Sequence, residues 1–223
     1  KYCTKEPRLS DPKEFGEMSL AGKRTDINQF VEDMKENIMS DAQILENHPT
    51  ILAKYPRFVT TTRRILSEVR LSQRPFVAQP GWQVLLGDAL NREPDTRRIT
   101  WYCDEHGAAG KSTFCRGFRF SDGGRGYVVT GGKHSDIYFA YGRERGVFFD
   151  WPRSNEESFP YAVAECFKNG YFLNTKYESV PVYFDVPHVI VFANFYPDKS
   201  KLSADRWDIH IIDNSLLNTT TNP

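Results

Sequence analysis

No stretch of this chain restricts its fold more than Arg97 to Thr113, RRITWYCDEHGAAGKST. Arg97 to Cys103 suits a buried strand, a glycine-bearing turn follows, and Lys111 to Arg119 suits a helix. A strand that turns through glycines straight into a helix gathers backbone N–H groups and the positive end of that helix at one point, where a phosphate can bind. In that reading Gly107, Ala108, Ala109, Gly110, Lys111, Ser112 and Thr113 cradle a nucleotide. Lys111 reaches the β- and γ-phosphates of ATP, and Ser112 ligates the accompanying Mg²⁺. Glu105 departs from the pattern, because it stands where G-x-x-x-x-G-K-[ST] has its first glycine. A chance Gly-Lys-Ser-Thr turn is the bland alternative, and the flanking strand and helix weigh against it.

From Ser72 onward the chain supplies the surroundings such a loop requires. Helical patterns at Trp82 to Leu90, His134 to Tyr141 and Tyr161 to Lys168 alternate with strand patterns at Tyr127 to Thr130, Gly146 to Asp150, Pro187 to Asn194 and Arg206 to Ile212. That alternation predicts an α/β domain with a mainly parallel central sheet, and such sheets bind ligands at the carboxyl ends of their strands. Asp150 closes GVFFD and is placed to hold the Mg²⁺ shell, while Asn194 closes VIVFAN and is placed to sense the γ-phosphate and orient the attacking water. Strands often end in Asp or Asn as ordinary turn residues, so each gains weight only from the other and from Lys111. Trp151 fills the position where a water-activating acid often follows, which leaves Glu156, Glu157 or an acid elsewhere for that task.

Upstream, from Thr25 to Val69, the periodicity is helical. Ile27, Phe30, Val31 and Met34 share a face after Thr25-Asp26, Ser40-Asp41 is placed to cap a second helix ending near His48-Pro49, and Phe58 to Val69 supports a third. A unit this small is expected to rest on a partner surface, other copies of itself included. The expected division is a domain end and linker over 1–19, a helical segment over 20–71, the α/β domain over 72–214 and a tail over 215–223. Lys plus Arg balance Asp plus Glu at 29 each, so any nucleic-acid binding must come from a local patch. Cys3, Cys103, Cys115 and Cys166 form no C-x-x-C pair and have no histidine at metal spacing, which points to a reducing, intracellular setting without a structural zinc. No apolar run approaches the roughly 18 residues of a membrane span. A chain that opens on Lys1, inside a motif-like YCTKE, is expected to be a piece of something longer.

Four segments carry a resemblance. WYCDEHGAAGKST, GVFFDWPRS, NGYFLNTKYESVPVYFDVPHVIVFAN and LSADRW resemble, in order and spacing, the Walker A, Walker B, B′, motif C and arginine-finger regions of the superfamily 3 helicase domain. That domain belongs to replication-initiator (Rep) proteins of circular single-stranded DNA viruses and their satellites. The resemblance spans residues 75–212 and covers D-x-x-G-x-x-G-K loops of the kind that Asp104 and Gly107 form here. It implies an AAA+-like P-loop ATPase working as a DNA helicase with ATP and Mg²⁺, a homo-oligomeric and hexameric ring, single-stranded DNA and a replication origin as partners, and the host nucleus as its place. It also implies that LNTKYESVP is a hairpin in the ring's pore, with Lys176 on a phosphate and Tyr177 stacking on a base, and that Arg206 is a finger reaching a neighbouring subunit's ATP. A solvated hairpin, and a surface salt bridge to Asp205 or Asp208, are the plain alternatives. AGKRTDINQFVEDMK resembles the family's helical oligomerisation segment. YCTKE resembles the third motif of the family's HUH endonuclease, with Tyr2 as nucleophile and Lys5 assisting. The nuclease's His-hydrophobic-His metal ligands are not in this sequence, so nicking and joining are expected of a full-length parent and not of this chain.

Three rivals remain at this level. A GTPase would read NTKYE as its base-recognition motif, but Glu178 stands in place of Asp and DWPR has Arg153 in place of a switch glycine. A small-molecule kinase would use Arg143 and Arg145 as its lid. A genome-integrated remnant would bind DNA or oligomerise without turning over ATP.

Overall fold

The computed structural model describes residues 25–79, 81–120, 126–177 and 179–212, and the chain divides into two units between Ser67 and Glu68. The first unit is built from α1 (Thr25–Glu36), α2 (Asp41–Asn47), α3 (Pro49–Lys54) and the larger part of α4 (Pro56–Ser72). Ser40 caps α2 as its sequence predicts: its hydroxyl accepts from the Gln43 N–H, and the Gln43 side-chain oxygen accepts from the Ser40 N–H at 2.8 Å. The sequence reading misses α3. Pro49 and Pro56 lack an N–H and carry a preset φ, so each suits a first helical turn and ends the helix before it. The two prolines thus open α3 and α4 as separate helices, and Ile44, Ile51 and Val59 of α2 to α4 join Phe30, Met34 and Met39 in a shared core.

The second unit holds α5 (Trp82–Leu90), β1 (Ile99–Cys103), α6 (Lys111–Phe120), β2 (Gly126–Val129), α7 (His134–Ala140), β3 (Gly146–Trp151), α8 (Tyr161–Asn169), β4 (Tyr171–Asn174), β5 (Val180–Tyr183), β6 (His188–Ala193) and β7 (Trp207–Ile211). Five strands form one sheet in the order β2-β3-β6-β1-β7, every neighbouring pair parallel. The fold is α/β with a parallel central sheet. Side chains of a strand alternate between its two faces. Trp101, Val147, Phe149, Val189 and Val191 accordingly join Ile137, Val163 and Phe167 of α7 and α8 on one side. Tyr102, Phe148, Ile190 and Phe192 join Leu86 and Leu90 of α5 and Phe114 of α6 on the other. Both faces are covered, which is why these strands read as unbroken apolar runs.

Register fixes where chemistry can occur. Cys103 lies opposite Ala193, and Ala193 lies opposite Trp151, so β1, β6 and β3 end together at one edge. The residues that follow or close these strands, Asp104, Asn194 and Asp150, are thereby brought side by side. Between α8 and β6 the strands β4 and β5 make an antiparallel hairpin of their own, with Tyr171 opposite Tyr183. Phe172 secures it, buried and stacked on Tyr138 of α7 at 4.3 Å between ring centroids. No helix among the described residues is long and apolar enough to cross a membrane.

Candidate nucleotide site

The loop between β1 and α6 is shaped by left-handed residues and by one carboxylate. Gly107, Ala108 and Gly110 have φ of 86°, 63° and 77°. Asp104 is fully buried; its Oδ1 accepts from the Gly107 N–H at 2.9 Å, and its Oδ2 accepts from the Ala109 N–H at 3.3 Å and from the Lys111 ammonium at 2.7 Å. Burial by itself would raise the pKa of this carboxyl. Lys111 and the two amides outweigh burial and hold it below the ordinary value, so Asp104 is ionised at neutral pH. Lys111 is buried too, so the pair is neutral as a unit and each charge has its partner. The Asp104 side chain reaches the N–H three residues on, and the D-x-x-G-x-x-G-K spacing noted in the sequence is the signal that marks this carboxylate.

Gly110 is held from the other side. Gln83, buried at the start of α5, donates to the Gly110 carbonyl at 3.3 Å and accepts from the Gln79 N–H at 2.9 Å. A Cβ on Gly110 would stand 2.7 Å from Gln83 Nε2 and would force a side chain into left-handed backbone. Gly110→Ala is therefore expected to cost roughly 1–2 kcal/mol of strain at the loop and to weaken ADP binding about tenfold or more. Titration with a fluorescent ADP analogue checks it, and binding equal to wild type would show that the loop does not need this backbone.

Gly107, Ala108, Ala109, Gly110, Lys111, Ser112 and Thr113 line one cavity of about 370 Å³ together with Asp150, Trp151, Pro152 and Asn194. The structure thus brings the loop, the acid and the amide into one site. Asn194 donates through Nδ2 to the Asp104 carbonyl at 2.5 Å, so the amide is tied to the same residue that grips Lys111. Ser112 and Asp150 offer oxygen to a divalent cation, and no group of three or more His, Cys, Asp or Glu fit for a metal occurs among the described residues. That donor set suits Mg²⁺, which takes one or two protein oxygens and completes its shell with water and phosphate. Trp151 is part of the core, 4% exposed, and its indole N–H donates to the Asn155 carbonyl. Glu156 and Glu157 are exposed in the following 3-10 turn and do not line the cavity. Arg153, whose place in the sequence suggests no task, donates to the Glu105 carbonyl and so ties that turn to the loop.

A search of protein-family models finds no match to the chain. Individual relatives are clear. The chain is 33% identical over 221 residues to the master replication protein of Faba bean necrotic yellows virus (isolate Syrian SV292-88), covering 92% of this chain and 71% of that protein. It is 36% identical over 212 residues to Para-Rep C6 of the Subterranean clover stunt C6 alphasatellite, covering 92% and 70%. The chain belongs to the Rep family of circular single-stranded DNA viruses and their satellites. Among solved structures, that of NtrX from Brucella abortus in complex with ATP aligns at 14% identity and a TM-score of 0.31, over 72% of this chain and 39% of that one, a likeness too distant to argue from.

Lys176 and Tyr177 of this Rep chain do not line the cavity. Tyr2 and Lys5 lie outside the described residues. Lys176 and Tyr177 sit between β4 and β5, as the hairpin reading requires. Lys176 donates to Asp136 at 2.8 Å and lies 4.9 Å from the centre of the Phe139 ring. Tyr177 is 84% exposed, in left-handed backbone at φ 66°, with its ring edge-on to Phe139.

Arg206, expected as a finger offered to a neighbour, is held by partners within its own chain. It is 5% exposed, donates to Asn169 Oδ1 at 2.8 Å and to the Arg97 carbonyl at 3.4 Å, and pairs with Glu165 at 3.5 Å. The surface salt bridge to Asp205 or Asp208 is corrected, since Asp205 pairs with Arg97 instead. Arg206 precedes β7, whose Trp207 is opposite Ile99, and so lies at the amino edge of the sheet, the far edge from the loop. Arg143 and Arg145 precede β3 and share that amino edge, where Arg145 donates to the Arg92 carbonyl, so neither stands over the cavity as a kinase lid would.

Proposed function

We propose that this Rep-family chain is the ATP-hydrolysing, DNA-translocating part of a rolling-circle replication initiator. The observation that carries the reading is the single cavity at the carboxyl edge of the sheet that gathers the loop, Asp150 and Asn194. Loop amides and the α6 N-terminus bind the phosphates, and Lys111 adds a positive charge within a buried site, where it counts for more than in water. Asp150 and Ser112 hold Mg²⁺, which when bound neutralises charge on the phosphate oxygens. Asn194, fixed by the Asp104 carbonyl, orients the attacking water. Single-stranded DNA meets the hairpin: Lys176 exchanges Asp136 for a backbone phosphate, and the exposed Tyr177 offers its ring to a base. The chain works as a hexameric ring in the host nucleus, through the helical segment 20–71. The full-length parent adds origin nicking and joining, with Tyr2 as nucleophile and Lys5 assisting.

ATP turnover with and without single-stranded DNA tests this reading, alongside mass measurement in solution. Stimulation by DNA separates a helicase from a kinase, and no turnover at all would leave a remnant that only binds or assembles. Lys176→Ala is expected to weaken DNA binding, to lower its salt slope by roughly 0.7 on a log–log scale and to spare basal turnover. Tyr177→Ala should cost about 1–3 kcal/mol of DNA binding with the salt slope unchanged. A salt titration of both variants that matches wild type would place the DNA path elsewhere.

A further inference from the structure

A buried carboxylate just beneath the cavity lining holds two backbone amides of the loop and the lysine that lines the cavity with them. The two oxygens of Asp104 accept from the Gly107 N–H, the Ala109 N–H and the Lys111 ammonium, all within 3.3 Å. These are backbone amides of the phosphate loop and its one lysine, and they face a group with the charge and the planar oxygen pair of a small anion. Lys111 is 8% exposed and Asp104 fully buried, so the pair is shielded from water and its attraction is little screened. Asn194 anchors the backbone of the same residue. The arrangement also accounts for Glu105. Where the common pattern relies on a first glycine to shape the loop, this chain shapes it through the grip of the preceding Asp104 side chain.

We infer that Asp104 is a built-in competitor for the nucleotide's phosphates: it holds Lys111 and the loop amides in an assembled geometry, yields them when a polyphosphate enters, and takes Lys111 back when the product leaves. The inference rests on the nucleotide-binding reading of this site and specifies how that site is regulated. Two consequences follow from charge alone. With Asp104 ionised beside Lys111 the loop presents no net charge to an incoming anion, whereas with Asp104 neutral it presents one free cation. Product release also gains, because the departing diphosphate is replaced by an internal anion in place of leaving a buried ammonium unpaired. A competitor of this kind sets a weak hold on product and a fast exit, which suits an enzyme that must cycle repeatedly along a strand.

Asp104→Asn and Asp104→Ser separate competition from simple support of the loop. Both remove the charge and keep an oxygen able to accept from the Gly107 N–H, so the turn is retained. ADP with Mg²⁺ and inorganic pyrophosphate are titrated against wild type and both variants, with thermal unfolding measured in parallel. The expected result is ADP and pyrophosphate binding about tenfold tighter in at least one neutral variant that melts as a folded protein, with the gain appearing as slower dissociation. A group that merely supports the loop predicts the opposite, weaker binding of both ligands. The inference is overturned if the folded neutral variants bind ADP no tighter than wild type, if the gain occurs with ADP and not with pyrophosphate, or if neither variant folds. Failure of wild type itself to bind ADP is a different result, which sinks the nucleotide reading of the cavity and the inference with it.

Discussion

Lys111→Ala is expected to reduce ATP hydrolysis to about a hundredth or a thousandth of wild type, and to lower the unfolding midpoint as well. The first effect follows from taking a positive charge away from the β- and γ-phosphates, where positioning and electrostatics supply most of the rate. The second comes from the partner left behind. Asp104 is fully buried and loses its ammonium at 2.7 Å, and breaking one side of a buried ion pair costs about 3–5 kcal/mol. For a unit of this size that corresponds to a fall of roughly 10 °C. The double variant Lys111→Met with Asp104→Asn separates the two effects, because it removes both charges: stability should return and turnover should not. A Lys111→Ala protein that melts with wild type would show that Asp104 does not depend on the pair. One that hydrolyses ATP at the wild-type rate would remove the loop from the mechanism.

Arg206→Ala is expected to be a stability defect first. The guanidinium makes hydrogen bonds to Asn169 and to the Arg97 carbonyl and pairs with Glu165, which joins α8, β7 and the approach to β1. Hydrogen bonds involving a charged group contribute about 1.5–3 kcal/mol each, and the variant should melt about 6–10 °C lower. Measured well below that midpoint, turnover per folded chain should stay within about threefold of wild type, since no contact of Arg206 reaches the cavity. The resemblance to Rep arginine fingers makes the opposite forecast. A finger variant would keep its melting point and lose turnover, and mixing it with Lys111→Ala chains would restore activity at interfaces where an intact loop meets an intact finger. Restoration on mixing would overturn the structural assignment of Arg206.

Local pattern alone settled a good deal of this protein. Trp82 to Leu90 is a helix with the bounds its apolar spacing indicates, Lys111 opens α6, and GVFFD and VIVFA are buried strands. Parallel pairing of strands joined by helices then places their carboxyl ends at one edge. The meeting of Lys111, Asp150 and Asn194 in one cavity was therefore legible before any coordinate. These features depend on neighbours within a turn of helix or a few residues of strand, and that range is what periodicity and turn chemistry encode. The helix end at His48-Pro49 was equally visible, but the six residues of α3 that follow are too few to display a helical period, and the sequence leaves them unassigned.

Partner choice was a different matter, and only the tertiary structure decided it. Asp104 and Lys111 are seven residues apart across an irregular loop, so no helix or strand period brings them together; the left-handed turns at Gly107, Ala108 and Gly110 do. Lys176 reads as a free cation for DNA until α7 places Asp136 beside it. Arg206 reads as an exposed finger until α8 delivers Glu165 and Asn169, and β1 delivers the Arg97 carbonyl, to the same point. A charged side chain's sequence neighbours say what it can do chemically. Which groups it is left with after the core has closed depends on elements packed from far along the chain, and that packing gives Arg206 partners on α8 and gives Lys111 the buried carboxylate of Asp104.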